Sequence, residues 1–321
     1  MGMPDLTFGP VPSRRLGKSL GINNIPPKIC TYACVYCQLG RTLEMSVRRR
    51  PFYAPEDILR AVQAKVGRAK AAGEAIDYLT VVPDGEPTLD SRLGETINLL
   101  KPLGIPVAVI TNSSLIGDEA VRADLRKADW VSLKFDAVSE DVWHKIDRPA
   151  RLLSLPDVLD GALAFASSFG GKLVTETMLV QGVNDSAPTL AATASFIAQL
   201  QPSTAYLAIP TRPPAEEWVL PPDEATINRA YHVFSERIAH VEVLIGYEGN
   251  AFAQTGDPAE DLLAITAVHP MRADAVEEFL ARAGAGWPLV ETLVAQGRLV
   301  EMYYGGHAFY LRKLRRPERM T

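Results

Sequence analysis

The chain has 321 residues and only three cysteines, Cys30, Cys34 and Cys37, all inside the loop KICTYACVYCQLG. A C-x3-C-x2-C run lets three thiolates reach three irons of one cubane. Electron-transfer clusters normally take four cysteine ligands, so the fourth iron here must accept a ligand from outside the protein. An odd set of closely spaced cysteines does not make a disulfide framework. Two other readings compete: a structural zinc held by three thiolates and a histidine, or three cysteines packed in a core. Zinc ligands usually come as two separated pairs. None of the five histidines, His144, His232, His240, His269 and His307, lies near the loop or forms a two-histidine metal spacing.

Further polar groups stand where apolar runs end. After YLTVVP comes Asp84-Gly85-Glu86-Pro87-Thr88, in which the glycine permits close backbone approach and the Glu86 carboxylate can accept hydrogen bonds from an ammonium. Thr111-Asn112-Ser113-Ser114 offers hydroxyls and an amide suited to a ribose or a carboxylate. In VSLKFDA, Lys134 and Asp136 alternate onto one strand face; buried they form a charge pair, exposed an ordinary surface pair. TETMLVQGVND puts Glu176 and Met178 on one face, with Asn184 in the loop beyond. Arg14, Arg15 and Lys28 surround the cysteine loop and suit either thiolate charge or a substrate phosphate. The blander alternatives are strand-ending turns, solvated loops and, for Tyr36, Met178 and Val180, core packing.

What must position these groups is an α/β framework. From about residue 56, helical stretches alternate with apolar runs at Ile76 to Val82, Val107 to Thr111, Trp130 to Phe135, Leu173 to Val180, Ala205 to Ile209 and Val241 to Ile245. A further strand at Ser19 to Asn23 precedes the cysteine loop, so six or seven parallel strands are expected, in a partial (β/α)6 barrel or a closed one. Active sites of such barrels lie at the C-terminal strand ends, where all these motifs fall. The Pro-rich segment Pro210 to Pro222 reads as an extended loop over the barrel mouth. After Gly246 the character changes, and a boundary follows: residues 1–258 form the barrel domain and 259–321 a small one. In the latter, helices over Arg272 to Ala283 and Pro288 to Gln296 and a hairpin turning at Gly305 and Gly306 predict a winged-helix-like domain.

The segment FGPVPSRRLGKSLGINNIPPKICTYACVYCQLGRT resembles the radical S-adenosylmethionine (SAM) superfamily, in which Tyr36 fills the aromatic position of the cysteine signature. More narrowly it is similar to the branch of iron-sulfur oxidoreductases related to the wyosine-forming tRNA-modifying synthases, over roughly residues 7–250. The resemblance implies a [4Fe-4S] cluster on Cys30, Cys34 and Cys37, with SAM chelating the open iron and cleaved reductively to a 5'-deoxyadenosyl radical. It implies SAM contacts from Tyr36, Gly85, Glu86, Pro87, Thr111, Asn112, Lys134, Asp136 and Met178. An electron donor of flavodoxin or ferredoxin type follows. Asp84 departs from the family's Gly-Gly-Glu-Pro motif, standing where the first glycine belongs. The wyosine enzymes carry additional cluster cysteines that this chain lacks, so their tRNA product does not transfer.

Composition sets the remaining bounds. With 47% apolar and 22% charged residues and a formal charge of -5, the chain reads as an ordinary globular protein rather than a wholesale polyanion binder. The one basic strip is Arg312, Lys313, Arg315, Arg316 and Arg319, beside the winged-helix-like domain, where tRNA or a protein substrate would be held. A start without a charged, apolar leader and the lack of an apolar stretch of about 18 residues predict a cytoplasmic protein with no membrane partner. The competing function is a non-catalytic iron-sulfur redox sensor that uses the C-terminal domain to bind nucleic acid or protein.

Overall fold

The computed structural model describes residues 6–244, 252, 257–267 and 270–313. Its strands are β1 (Thr7–Ser13), β2 (Gly17–Ile22), β3 (Ile29–Cys30), β4 (Glu44–Met45), β5 (Tyr78–Val81), β6 (Val107–Thr111), β7 (Trp130–Lys134), β8 (Lys172–Met178), β9 (Thr204–Ala208), β10 (Val241–Leu244), β11 (Met271–Arg272), β12 (Leu299–Tyr304) and β13 (His307–Arg312). Eight form one sheet in the order β1-β2-β5-β6-β7-β8-β9-β10. From β2 to β10 every pairing is parallel, and β1 adds an antiparallel edge. Among the described residues β1 and β10 do not pair, so the sheet curls into a partial barrel and stays open.

The described helices are α1 (Pro55–Ala71), α2 (Leu93–Leu100), α3 (Glu119–Leu125), α4 (Glu140–Ile146), α5 (Leu155–Ala166), α6 (Ala187–Leu200), α7 (Glu224–Ser235), α8 (Pro258–Thr266), α9 (Ala273–Arg282) and α10 (Pro288–Ala295). Their ends follow from local chemistry. α1 starts at Pro55 with Glu56 and Asp57 in its first turn and carries Arg68 and Lys70 in its last, complementing the helix dipole. Side chains of Ser154, Ser186, Asp223 and Asp257 cap α5, α6, α7 and α8. Apolar stripes such as Ile58, Val62 and Val66 on α1 then pack on the sheet. The sheet's inner strands are largely buried on both faces, apolar toward the helices and mixed toward the concave side, where Thr80, Lys134 and Glu176 lie.

Each apolar run anticipated from sequence is a strand to within two residues; the end of the last, Ile245, lies outside the described residues. The parallel strands number seven. β1 is the exception, since Gly9, Pro10 and Pro12 argue against a strand interior; as an edge strand with an irregular register after Phe8, it tolerates them.

The C-terminal group runs α8, β11, α9, α10, β12, β13, with an antiparallel sheet in the order β11-β13-β12. Leu262, Val276, Phe279 and Leu293 form its core together with Phe8 and Val11 of β1. Phe8 lies over Gly21, where a Cβ would meet its ring at 2.0 Å. A buried ion pair, Lys65 Nζ to Asp261 Oδ1 at 3.0 Å, ties α1 to α8, with side chains 7% and 4% exposed. Removing one partner strands the other charge, so Asp261→Ala is expected to cost about 3–5 kcal/mol in urea denaturation. The double replacement Lys65→Met with Asp261→Leu is expected to recover most of that.

Candidate active site

The cysteine loop is held by main chain on both sides. β3 pairs with β4, and the Ser46 amide donates to the Cys30 carbonyl at 3.1 Å. On the other flank the Ala33 and Val35 amides donate to the carbonyls of Asp147 (3.0 Å) and Ile146 (2.9 Å), and Ala150 donates to Thr31 (2.9 Å). A third contact docks the loop onto the end of β5: Lys28 N donates to Asp84 O at 2.6 Å and Glu86 N to Ile29 O at 3.1 Å. Gly85 sits at that crossing with φ +153°, and a Cβ there would lie 2.0 Å from the Ile29 carbonyl oxygen. Only glycine lets the two backbones touch.

The three thiols open into a cavity of about 370 Å³ at the C-terminal ends of the parallel strands. Burial pushes the Cys30 thiol up to about 12, with the Glu86 carboxylate adding to it. Burial likewise raises Cys34, helped by Asp147, and raises Cys37, which Lys28 pulls partly back. The protein alone therefore keeps them as thiols, and thiolates would form on coordination, as soft donors to a bound cationic centre do. Among the described residues no three His, Cys, Asp or Glu side chains converge closely enough to hold one metal ion.

The first wall of the cavity is built around Glu86, 1% exposed. Oε1 accepts from Thr88 N (3.0 Å), Thr88 Oγ1 (2.6 Å) and Thr111 Oγ1 (2.7 Å), and Oε2 from Asn112 N (2.8 Å). Burial raises this carboxyl and the four donors hold it back. It ties the end of β5 to the end of β6, and Asn112 in turn donates Nδ2 to Thr31 Oγ1 (2.8 Å) and to Cys30 Sγ (3.5 Å). Glu86→Gln turns an amide toward donors and is expected to cost about 2–3 kcal/mol, read as a lower denaturation midpoint. Asp84, in the departing position, forms a buried pair with Lys28 Nζ at 3.1 Å. Burial pushes its carboxyl up to about 6 against the pull of Lys28.

The opposite wall is a charge chain. Lys134 Nζ bonds Glu176 Oε1 at 3.0 Å, lies 3.6 Å from Asp136 Oδ1, and stands 4.9 Å over the Tyr36 ring. Burial opposes its charge, but Asp136 and Glu176 outweigh it and raise Lys134. Against its own burial, Arg15 and Lys134 hold Glu176 down at about 2. The Tyr36 hydroxyl donates to Asp136, and lies 3.3 Å from Asp147 Oδ1, which also takes the Cys34 thiol at 3.4 Å. Asn184 clamps the chain by donating to the Asp136 and Met178 carbonyls, at 2.8 and 2.7 Å.

Of the residues singled out from sequence, Cys30, Cys34, Cys37, Tyr36, Gly85, Glu86, Thr111, Asn112, Lys134 and Met178 line the cavity. Pro87 and Asp136 lie behind its walls, Pro87 opening a short 3-10 turn and Asp136 buried beneath Lys134 and Tyr36. Asp147 is not foreseeable, because it sits at the end of α4 with no motif around it. The segment Pro210 to Pro222, free of helix and strand, straps the cysteine loop. Glu216 N donates to Val35 O (3.1 Å), Arg212 to Gln38 (2.8 Å), and Val219 is buried against Val35 and Tyr36.

A family model described as the radical SAM superfamily matches residues 24–193. A UPF0026 protein of Methanocaldococcus jannaschii is 44% identical over 312 residues, 97% of each chain. A radical SAM methyltransferase structure from Sphaerobacter thermophilus superposes with a TM-score of 0.53 at 17% identity, over 76% of this chain and 67% of that one. Streptococcus suis SuiB bound to S-adenosylmethionine gives 0.53 at 14% identity, over 71% and 51%. At such identities these structures speak to the fold alone.

Proposed function

Because the chain belongs to the radical SAM superfamily, whose enzymes use a [4Fe-4S] cluster and SAM, we propose that this cavity holds both and modifies a bound substrate. The observation that carries the reading is that all three cysteine thiols open into one cavity walled by Glu86, Thr111, Asn112 and Lys134. Bound there, the cluster and SAM would supply a 5'-deoxyadenosyl radical able to abstract hydrogen from an unactivated position. Cys30, Cys34 and Cys37 are the cluster ligands in this reading. Asn112 orients the Cys30 sulfur, and Asp147 orients that of Cys34. Glu86 acts by fixing Thr111 and the Asn112 amide, since its oxygens already accept four hydrogen bonds. Gly85, Lys134, Tyr36 and Met178 line the space left for SAM, with Pro87 and Asp136 supporting that wall from behind.

Residues 259–321 form, in this proposal, a winged-helix-like substrate-holding unit. The support is its element order and the bond from Tyr304 Oη to the Pro210 carbonyl at 3.3 Å, which brings the hairpin to the cavity rim. A macromolecular substrate, tRNA or protein, suits that position. Arg312 and Lys313 of the basic strip are described, while Arg315, Arg316 and Arg319 lie outside the described residues.

Anaerobic reconstitution with iron and sulfide, followed by dithionite and SAM, tests the core of the proposal, with 5'-deoxyadenosine the expected product. A redox sensor or a zinc module makes none. For the C-terminal unit, Arg312→Glu with Lys313→Glu is expected to weaken binding of a tRNA pool, more at low salt than high; a wild-type chain indifferent to tRNA at both leaves protein as the substrate class.

A further inference from the structure

We propose that the surface around the cysteine loop, outside the cavity, is the docking face for a small acidic protein that carries single electrons. The inference rests on the cluster reading above and adds where the reductant sits. Its starting point is where exposed apolar side chains gather. Ten large ones are exposed among the described residues, and five of them, Leu43 (56%), Met45 (44%), Leu152 (84%), Trp218 (48%) and Leu220 (52%), belong to segments that hydrogen-bond to the cysteine loop or its strap. Exposed apolar side chains gathered on segments that surround one loop mark an interaction site more often than single scattered ones do.

Charge defines the partner. On one flank, Arg41, Arg48 and Arg50 are exposed beside Leu43 and Met45, on the chain whose main-chain amides at Leu43 and Ser46 bond the carbonyls of Lys28 and Cys30. On the other, Arg148 and Arg151 are exposed beside Leu152, where Ala150 N bonds the Thr31 carbonyl. Two carboxylates answer these five guanidiniums: Glu44 pairs with Arg50 at 2.7 Å, and Glu216 with Arg148 at 2.7 Å and Arg41 at 3.4 Å. With the exposed Glu217 beside Trp218 counted as well, the face keeps five guanidiniums against three carboxylates in a chain whose formal charge is -5, which steers an acidic partner to it.

The position separates an electron donor from a substrate. None of these arginines or leucines, nor Met45, lines the cavity, so a molecule seated on them does not reach the radical-forming space. The chain that carries these side chains lies one backbone hydrogen bond from the cysteine segment, about 4.8 Å in a strand pair. An electron needs only that proximity. Nucleic acid fits less well, because four of these five exposed apolar side chains, Leu43, Met45, Leu152 and Leu220, are aliphatic and only Trp218 offers a ring for a base to stack on.

The test uses the full chain and oxidised flavodoxin as probe, followed by flavin fluorescence at low and at high salt. Wild type is expected to bind, more weakly as salt rises. The combined variant Arg41→Glu, Arg48→Glu, Arg151→Glu is expected to lose at least about tenfold in affinity, with an unchanged melting midpoint. In the reconstituted protein it is expected to take electrons from reduced flavodoxin at least about tenfold more slowly, while dithionite reduces both proteins equally. Equal flavodoxin binding by the two proteins overturns the proposal, as does equal slowing with dithionite. So does a variant that loses tRNA binding and keeps flavodoxin. A wild type that takes up no cluster refutes the enzymatic reading instead, and the binding titration on that same cluster-free chain still decides the surface.

Discussion

Cys34→Ala protein, reconstituted anaerobically and given dithionite and SAM, is expected to show neither the visible absorbance of a [4Fe-4S] cluster nor 5'-deoxyadenosine. The chain holds three cysteines, so no other thiol can stand in for the lost ligand. Loss of a mere supporting partner in a metal site lowers affinity by about 10–100-fold, and loss of a ligand is expected to exceed about 100-fold on the same scale. Alanine also frees Asp147 Oδ1 of the thiol that reaches it at 3.4 Å. Cys34→Ser is therefore the companion variant: its hydroxyl preserves the contact with Asp147 but is a hard donor poorly suited to iron-sulfur ligation. Both variants are expected to keep the wild-type circular dichroism spectrum and to lose the product. Product from either at wild-type rate would show that the cysteine motif has another purpose.

Gly85→Ala is expected to be strongly damaging although it leaves all three cysteines in place. The added Cβ meets the Ile29 carbonyl oxygen at 2.0 Å, and the φ of +153° is one that alanine rarely adopts. Overpacking and backbone strain each cost about 1–3 kcal/mol, so a loss of about 3–5 kcal/mol is expected in urea denaturation. The clash lies at the contact that docks the loop through Glu86 N and Ile29 O, so cluster content falls with stability. Gly40→Ala is the control, because Gly40 lies in the same loop at φ +82° with no atom within 4 Å of its would-be Cβ. It is expected to cost about 1 kcal/mol and to retain the cluster. Equal behaviour of the two variants would mean that the β5 docking contact does not hold the cysteine loop in place.

Much of this architecture is written in local pattern. The parallel strands were recognisable because a strand covered on both faces must be apolar along its length, as Val107–Thr111 and Thr204–Ala208 are. The helices between them carry their own start signals in Pro55, Ser154, Ser186 and Asp223. The cysteine triad was legible for the same reason, since all three thiols come from one short loop. β1 was hidden because its stability comes from pairing with β2 and from Phe8 entering the C-terminal core, neither of which shows in its own residues.

The α/β alternation, the three sulfurs of one loop and the polar strand ends at Glu86, Thr111 and Asn112 can all be read from the residues in order. These depend on residues within a few positions of one another, where spacing alone settles geometry. It takes the folded chain to show that the Glu86 carboxylate is consumed by Thr88, Thr111 and Asn112, that Asp84 answers Lys28, and that Asp147 reaches Cys34 across 113 positions of chain. Burial forces such groups to find partners. Which partner each finds is set by which loops the curled sheet brings together, and that is a property of the whole fold.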